Sequence, residues 1–370
     1  MEFTVKKSTL QKELGFVQGV IEKKNTIPVL QNILIKSKGE GIEIVATDLD
    51  VSIRCQCEAE IKQSGTMLVH ARKLFDIVRS LPEADIHLKK DDQSWAVLQC
   101  ERSRFRIVGQ PEENFPAVPE VKTAKVSLSS EVLRYFIEHT IFAITQEESQ
   151  RYALSGAQFL LSKGVGRMIA TDGHRLAFVE HKSLAEGLKE EIKMLIPKKT
   201  LAELLKIAGE AENAPVMFER DDNHLFFQLG GRVLISRTLS GQFPNYELVM
   251  PKETNHTMTF ESERIAAAIR RVALMADEKS HGIKLKIQDG KAEFTSQNSE
   301  VGEAREILPV EYGGPEINVG FNSQYLLDFL LSVNSSEIYF EFKDVQSQAQ
   351  LRPKTETEYD YRYVVMPMRI

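Results

Sequence analysis

The chain repeats itself three times at a spacing of about 125 residues, and this repeat limits its possible folds more than any short motif does. One acidic residue lies among apolar ones at helical spacing in segments 74–78, 201–205 and 326–330. A second repeat places Ala-Thr-Asp at 46–48 and 170–172, with Thr-Ser-Gln at 295–297. Solenoid repeats span roughly 20–50 residues, so each copy here is predicted to be a small domain with its own core.

Composition supports a globular protein and gives no sign of export. The 370 residues are 42% hydrophobic and 27% charged, which is ordinary for globular domains. No apolar run approaches the roughly 18–20 residues that cross a bilayer, and the N-terminus lacks an apolar signal core. A cytoplasmic location is therefore expected, and three cysteines fit a reducing compartment.

Two of the cysteines are the strongest candidates for a metal or disulfide site. Cys55 and Cys57 lie two residues apart and would share one face of a strand. No second pair of ligands follows at a suitable spacing, so we favour a structural role and predict no metal.

Each of the three blocks has the same predicted order of elements. Apolar residues recur at helical spacing in two segments per block, at 8–21, 72–81, 130–144, 198–208, 262–276 and 322–333. Strand patterns surround them, which predicts an α+β fold with two helices per domain packed on antiparallel sheets. Proline-bearing stretches predict boundaries that divide the chain into domains 1–121, 122–252 and 253–370.

Charge is unevenly distributed between the predicted helices and the rest of the chain. Segments 6–21, 70–80, 129–145, 197–210, 261–275 and 321–333 hold thirteen Lys or Arg and nine Asp or Glu, a net +4. The whole chain carries −6, so the remainder carries −10. Any one helix could simply have a solvated basic face, but the shared pattern favours a common positive surface. Such a surface would contact phosphates without reading bases.

Four segments together carry a family resemblance. They are Arg-Tyr-Ala-Leu-Ser-Gly at 151–156, Ala-Thr-Asp-Gly-His-Arg-Leu-Ala at 170–177, Gln-Phe-Pro-Asn-Tyr at 242–246 and Val-Val-Met-Pro-Met-Arg-Ile at 364–370. In this order they resemble the bacterial DNA sliding clamp family, the beta subunits of DNA polymerase III, over the whole chain.

The resemblance implies a function and a set of partners. It implies a processivity factor without catalytic activity or cofactor, whose head-to-tail homodimer forms a six-domain ring around duplex DNA. Implied partners are the DNA polymerase III catalytic subunit, the clamp loader, and other polymerases and repair proteins with clamp-binding peptides. The expected location is the cytoplasm, at the nucleoid.

Helix geometry independently favours a dimer. Helices packed roughly 8–10 Å apart leave a hole of only about 9 Å when about six form a circle, too narrow for a duplex roughly 20 Å wide. About twelve helices leave roughly 28 Å. One chain therefore cannot encircle DNA, whereas two can if one end meets the other in a heterologous interface.

The resemblance also implies three sets of site residues. The dimer interface would comprise Phe105, Ile107, Leu274 and Met275. A groove for partner peptides would comprise Leu154, Thr171, Gly173, His174, Arg175, Leu176, Pro244, Val249, Asn322, Tyr325, Val364, Met366, Pro367 and Met368. DNA contacts would come from Lys24, Arg72, Lys73, Gln150, Tyr152, Lys198 and Lys199. Ser280 departs from the family, which can carry an aromatic residue there.

The end of the chain has its own expectation. Pro367 cannot donate a backbone hydrogen bond, so the last strand is expected to leave its sheet there and to release residues 368–370.

Two other functions remain as alternatives. A hydrolase could use Asp172 and His174 as an acid–base pair, but block one has Leu49-Asp50 where block two has Gly173-His174. No phosphate-binding loop or zinc-spaced set occurs, so an enzyme is disfavoured. A clamp-like paralogue that binds partner peptides without a replicative role is the second alternative.

Overall fold

The structure, a computed structural model, describes residues 1–21, 26–120, 126–145, 152–162, 164–182, 190–210 and 214–369. Six α-helices lie within these ranges, two in each sequence block. They are α1 (Lys7–Val20), α2 (Ala71–Ser80), α3 (Ser130–Glu138), α4 (Lys198–Gly209), α5 (Ser262–Ala273) and α6 (Ser323–Ser332). All six segments predicted as helical are helical.

Five helices lie within three residues of the predicted bounds, and α3 differs by more. Helix α3 stops at Glu138, six residues early, and Thr140 has the non-helical φ of −129°. The Thr140 hydroxyl donates to the Phe136 carbonyl at 2.6 Å, a side-chain bond of the kind that competes with helix continuation. In α1, Ser8 lies inside the first turn, and its N–H donates to Glu83 Oε1 at 3.0 Å.

The strands are short and pair antiparallel throughout. In the described ranges they are β1 (Glu2–Lys6), β2 (Asn32–Lys38), β3 (Gly41–Thr47), β4 (Val51–Glu58), β5 (Glu60–Gln63), β6 (Thr66–His70), β7 (Asp85–Lys90), β8 (Ala96–Cys100), β9 (Ser103–Ile107), β10 (Gly109–Gln110), β11 (Val126–Ser129), β12 (Gly156–Ser162), β13 (Val165–Thr171), β14 (Arg175–Lys182), β15 (Ile192–Pro197), β16 (Pro215–Arg220), β17 (His224–Leu229), β18 (Arg232–Arg237), β19 (His256–Glu261), β20 (Gly282–Gln288), β21 (Lys291–Asn298), β22 (Gly302–Pro309), β23 (Ile317–Asn322), β24 (Glu337–Phe342), β25 (Ala349–Pro353) and β26 (Tyr359–Val365).

The chain forms two compact units, and the middle block contributes to both. Unit 1 holds Met1–Arg134 and Lys199–Thr238, and unit 2 holds Tyr135–Lys198 and Leu239–Ile370. The middle block is divided because sheet hydrogen bonds run from each block into the next, through β4–β18 in unit 1 and β14–β26 in unit 2. The two domain boundaries predicted from proline positions remain a prediction.

Unit 1 contains two sheets. One has the strand order β5-β1-β7-β8-β9, and the other has the order β10-β6-β2-β3-β4-β18-β17-β16-β11. An ion pair also joins the blocks inside this unit: Arg232 of β18 donates from Nε to Glu13 of α1 at 2.8 Å. Both side chains are largely buried, and the guanidinium lies 4.1 Å from the ring centre of Phe16.

Unit 2 repeats this plan with different block partners. Its larger sheet has the order β15-β12-β13-β14-β26-β25-β24-β19, and its smaller sheet has the order β22-β21-β20-β23. Strand β22 therefore ends one sheet of unit 2, as β9 ends one sheet of unit 1. Each of these two edges pairs on one side only within the described residues.

The three cysteines are buried and unbonded to one another. Cys55 and Cys57 lie in the interior of β4, and Cys100 ends β8. Burial raises the pKa of the Cys57 thiol to about 12, so it stays protonated at neutral pH. Among the described residues no group of three His, Cys, Asp or Glu side chains could hold a metal ion. In the same ranges, no helix has the length and apolar character to cross a membrane.

Candidate functional site

Unit 2 contains a cavity of about 350 Å³ at the ends of its central strands. The floor is apolar: Leu154, Leu176 and Val364 are at most 3% exposed and belong to one buried cluster with Phe178 and Phe243. The cavity is lined by Leu154, Thr171, Gly173, His174, Arg175, Leu176, Pro244, Tyr246, Leu248, Val249, Gln348, Val364 and Met366. A cavity of this size fits a few side chains of a partner.

The turn between β13 and β14 forms one wall, and local hydrogen bonds fix its shape. Thr171 Oγ1 accepts from Gly173 N–H at 3.1 Å and donates to the Arg175 carbonyl at 2.6 Å. Asp172 Oδ1 accepts from the N–H groups of His174 and Arg175, at 2.9 and 3.1 Å. Asp172 therefore orders the backbone, and the exposed His174 projects beside the cavity.

The same turn occurs in unit 1, as the repeat of Thr-Asp predicts. Thr47 Oγ1 accepts from Leu49 N–H at 3.0 Å, and Asp48 Oδ1 accepts from Asp50 and Val51 N–H at 2.9 and 2.6 Å. The residue that follows Thr-Asp in each turn has a positive φ, which is 95° at Gly173 and 83° at Leu49. Glycine adopts this conformation without strain, whereas Leu49 does not.

Arg175 is the most constrained residue of the wall. Its side chain is 8% exposed, yet every arm of the guanidinium has a partner. Nε donates to Asp172 Oδ2 at 3.0 Å, Nη1 donates to Asp328 Oδ2, and Nη2 donates to the Phe142 carbonyl at 2.7 Å. The guanidinium also lies 4.3 Å from the ring centre of Tyr325. Burial alone would lower the pKa of Arg175, but Tyr363, Asp328 and Asp172 raise it, so the residue is always charged.

Lys198 is a second cation beside Arg175. Its ammonium group donates to the Ile144 carbonyl at 3.1 Å. Burial and the nearby Arg175 charge lower the pKa of Lys198, while Asp328 and Asp172 act in the opposite direction. The four charged groups therefore act on one another electrostatically.

The opposite wall is a 3-10 turn, Tyr246–Leu248, that is held at both ends. Asn245 Oδ1 accepts from Glu247 N–H at 3.2 Å and caps the turn. Gln348 Nε2 donates to the Val249 carbonyl at 2.9 Å and ties the turn to the start of β25. Leu248 is 76% exposed, so this wall offers an apolar side chain to solvent.

The C-terminal segment differs from the prediction. Strand β26 ends at Val365, close to the expected exit, and Met366 N–H donates to the His174 carbonyl at 2.9 Å. Met368, however, is not released: its N–H donates to the Gly320 carbonyl of β23 at 2.9 Å. Pro367 removes one donor, but the residue after it pairs with the neighbouring sheet, so the expectation of a free end was wrong for Met368.

The structure brings ten of the fourteen predicted groove residues together around the cavity. The remaining four, Asn322, Tyr325, Pro367 and Met368, lie outside its lining. Asn322 caps α6, since its Oδ1 accepts from Gln324 N–H at 2.9 Å, and it donates to the Ser280 carbonyl at 3.2 Å. The ring of Tyr325 packs against the Arg175 guanidinium.

Three lining residues were not predicted: Tyr246, Leu248 and Gln348. Tyr246 and Leu248 closely follow Phe-Pro at 243–244, a segment that carried the family resemblance, so its position could have indicated them. Gln348 gave no such signal, because its partner is 99 residues away along the chain.

The predicted interface residues belong to different units, Phe105 and Ile107 to unit 1 and Leu274 and Met275 to unit 2. Phe105 and Ile107 belong to edge strand β9, and Ile107 is 8% exposed while Phe105 is partly buried. Leu274, just after α5, is 76% exposed, and Met275 beside it is partly exposed.

The predicted DNA-contacting residues have varied surroundings. Arg72 and Lys73 are exposed in the first turn of α2. Lys199 forms an ion pair with Asp48 within unit 1, and Lys198 is half-buried as described above. Lys24 and Gln150 lie outside the described residues. Tyr152 begins a 3-10 turn whose backbone alone is described.

Comparison with known proteins identifies one family along almost the whole chain. Family models for the DNA polymerase III beta subunit match residues 1–119 (N-terminal domain), 127–245 (central domain) and 247–369 (C-terminal domain). A beta sliding clamp from Caulobacter vibrioides is 34% identical over the full length of both chains.

Solved structures give the same result. The DNA polymerase sliding clamp from Pseudomonas aeruginosa superposes with a TM-score of 0.91, at 31% identity and full coverage of both chains. The sliding clamp from Bacillus subtilis has a TM-score of 0.93 at 24% identity, covering 100% of this chain and 99% of its own, which supports the fold.

Proposed function

This chain belongs to the DNA polymerase III beta subunit family, the bacterial sliding clamps, and from that premise we propose that two copies close into a ring around duplex DNA. Its role as a processivity clamp in replication follows from the same membership. The chain itself is non-catalytic in this proposal and leaves ATP hydrolysis to a clamp loader. The backbone-capping role of Asp172 supports this, since an acid–base pair with His174 would need that carboxylate free.

The observation that best supports a ring is the register of the two pairings that join neighbouring blocks. In unit 1, Cys55 of β4 lies opposite Arg232 of β18. In unit 2, Val179 of β14 lies opposite Tyr361 of β26. The two junctions are equivalent, because Cys55 pairs with Ile44 in its hairpin as Val179 pairs with Met168 in the next block. Block one therefore pairs with block two in the same strand register as block two pairs with block three.

The same register leaves β22 and β9 as the two ends that remain to be joined. The sheet ladders place Phe294 at the third-block position of Met168, because Leu195 and Gly320 each lie three residues before a helix and lead across the ladder to Ile169 and Thr295. This match differs by one residue from the sequence repeat at 295–297. Glu306 of β22 pairs with Phe294 in its hairpin and is therefore the third-block equivalent of Cys55. Ser103 begins β9 after a two-residue turn, as Arg232 begins β18. We therefore propose that Glu306 of one copy lies opposite Ser103 of the other. Glu303 then lies opposite Arg106, a pair of opposite charges.

A cross-link tests this register directly. A chain carrying both Arg106→Cys and Glu303→Cys is expected to give disulfide-linked dimers under mild oxidation, because directly opposed residues have Cβ atoms about 4.5–5.5 Å apart. The product is measured on a non-reducing gel. The three native cysteines are buried and should not compete.

The matched control shifts the register by two residues. Arg106→Cys with Arg305→Cys puts the sulfur-bearing positions on a diagonal with Cα atoms roughly 7–8 Å apart, so it should link poorly. If the control links as well as the first pair, the proposed register is wrong.

The cavity of unit 2 is proposed to bind a short apolar peptide from polymerases and the clamp loader. Its floor of Leu154, Leu176 and Val364 and its rim of Leu248 and Met366 support this, because apolar side chains of a partner would displace water from both. Methionine suits such a rim, since its flexible side chain adapts to different partners.

Helix charge supports non-specific DNA contact. Within the six described helices, twelve Lys or Arg and seven Asp or Glu give +5, so the rest of the chain carries −11. Several of these cations are paired within the chain, for example Lys12 with Glu210 at 2.8 Å. We therefore propose the exposed Arg72 and Lys73 as the foremost phosphate contacts among the described residues.

The experiment that tests the clamp is retention on circular DNA. The protein is loaded onto nicked circles with the cognate loader and ATP, and retention is measured before and after the circle is cut. Protein that stays on circles and leaves linear DNA is topologically linked. Equal retention on both forms would contradict the ring, and no retention with a loader active on another clamp would favour a clamp-like paralogue.

A further inference from the structure

The acidic residue repeated in the second helix of each block has a different partner each time. Asp76 lies 3.5 Å from Arg79 on the surface of α2. Glu203 of α4 accepts from Lys206 at 2.7 Å. Asp328 of α6, in contrast, pairs with Arg175, which lines the cavity, and also accepts from Gln324 at 2.7 Å through its other oxygen. Among the three, only the Asp328 position reaches the cavity wall.

The charges around Arg175 balance. Arg175 and Lys198 are two cations, and Asp172 and Asp328 are two anions that act on both of them. Asp172 belongs to the turn itself, whereas Asp328 comes from a helix 153 residues later in the chain. His174, which also lines the cavity, is exposed to solvent.

We propose that Asp328 is a positioning and charge-setting residue for the peptide groove: it fixes the Arg175 side chain and cancels its charge, so that the groove wall gives a bound peptide no net electrostatic attraction. This inference rests on the proposed peptide-binding function of the cavity. Asp328 does not line the cavity, and it acts through Arg175.

Both parts of the role follow from the geometry. Arg175 is held from three sides, by Asp172, the Phe142 carbonyl and Asp328, and loss of Asp328 leaves Nη1 without its carboxylate. The cavity wall would then carry one uncompensated positive charge. An acidic side chain in a bound peptide would gain an attraction that the wild-type groove does not supply.

The test compares two labelled synthetic peptides that share a Leu-Leu-Phe core and differ only by Asn or Asp beside it. Binding of each to the full-length protein is measured by fluorescence anisotropy. In Asp328→Asn, the ratio of affinities for the Asp peptide over the Asn peptide is expected to rise by roughly three- to tenfold, the effect of one charge at about 8–10 Å in a partly screened site. The gain should shrink as salt is added.

Two further variants separate charge from stability. Glu203→Gln removes the equivalent acid of α4 in unit 1 and should leave the ratio unchanged. Asp328→Glu keeps the charge and should keep the wild-type ratio, even if both affinities fall together. If the ratio stays at the wild-type value in Asp328→Asn while both peptides bind, the inference is wrong. If neither peptide binds the wild-type protein, the proposed groove function fails instead.

Discussion

Replacing Arg175 by alanine is expected to destabilise unit 2 by about 3 kcal/mol, because it leaves two partly buried carboxylates without the cation they pair with. The Asp172 and Asp328 side chains both face Arg175, and the Phe142 carbonyl loses its donor as well. The aromatic packing of Tyr325 against the guanidinium is lost with them. The cavity wall should loosen, and affinity for an apolar peptide should fall with it.

Hydrogen exchange can measure this effect within one molecule. Amides of β14 and β26 should exchange faster in Arg175→Ala, while amides of β3 and β4 in unit 1 should keep their protection. The matched control is Arg232→Ala, which breaks the Glu13 pair in unit 1. It should show the reverse pattern and leave peptide affinity unchanged. Unaltered protection of β14 in Arg175→Ala would show that the network does not stabilise the wall.

Leu274→Ala combined with Met275→Ala is expected to leave the protein monomeric, if the proposed dimer uses these residues as anchors. Leu274 is 76% exposed in the protomer, so its removal should cost the monomer little. In the proposed ring each junction buries one such pair, and large apolar anchors at an interface can each contribute 2 kcal/mol or more. Because both copies carry the substitutions, the double variant loses the Leu274 and Met275 side chains from both junctions of the ring.

Sedimentation velocity distinguishes the two states, since the protomer has a mass of 41.9 kDa. A suitable control is Leu331→Ala, because Leu331 is 64% exposed on α6 and lies outside the proposed interface. It should sediment as the wild type does. A persistent dimer in the double variant would mean that these residues are not the anchors of the interface.

Local patterns made much of the fold predictable. The six helices were predicted from apolar residues at helical spacing. This spacing can be read from the helix segment alone, without knowledge of what the helix packs against. The Thr-Asp turns of Thr47 and Thr171 were visible as a repeat because their hydrogen bonds span only two to four residues. Helix α3 ended early for a local reason too, the Thr140 hydroxyl bond, but side-chain competition of this kind is not read from periodicity.

The groove was predictable to the extent that its residues lie in recognisable segments. Leu154, Gly173 and Val364 all belong to segments that carried the family resemblance, and all line the cavity or its turn. Gln348 belongs to no such segment. Tyr325 contacts the lining residue Arg175 but does not line the cavity itself.

The sequence by itself determined the threefold plan, the helices, the family and most of the segments around the cavity, because these depend on residues close together in the chain. Only the tertiary structure decided which partner each repeated charge acquired. Asp76, Glu203 and Asp328 occupy equivalent positions, yet Asp328 alone meets Arg175, 153 residues away. The three helices hold their acidic residues at the same position in each block. The residue that each acid meets depends on the surrounding sequence, which differs between the blocks, and this residue decides which ion pair forms.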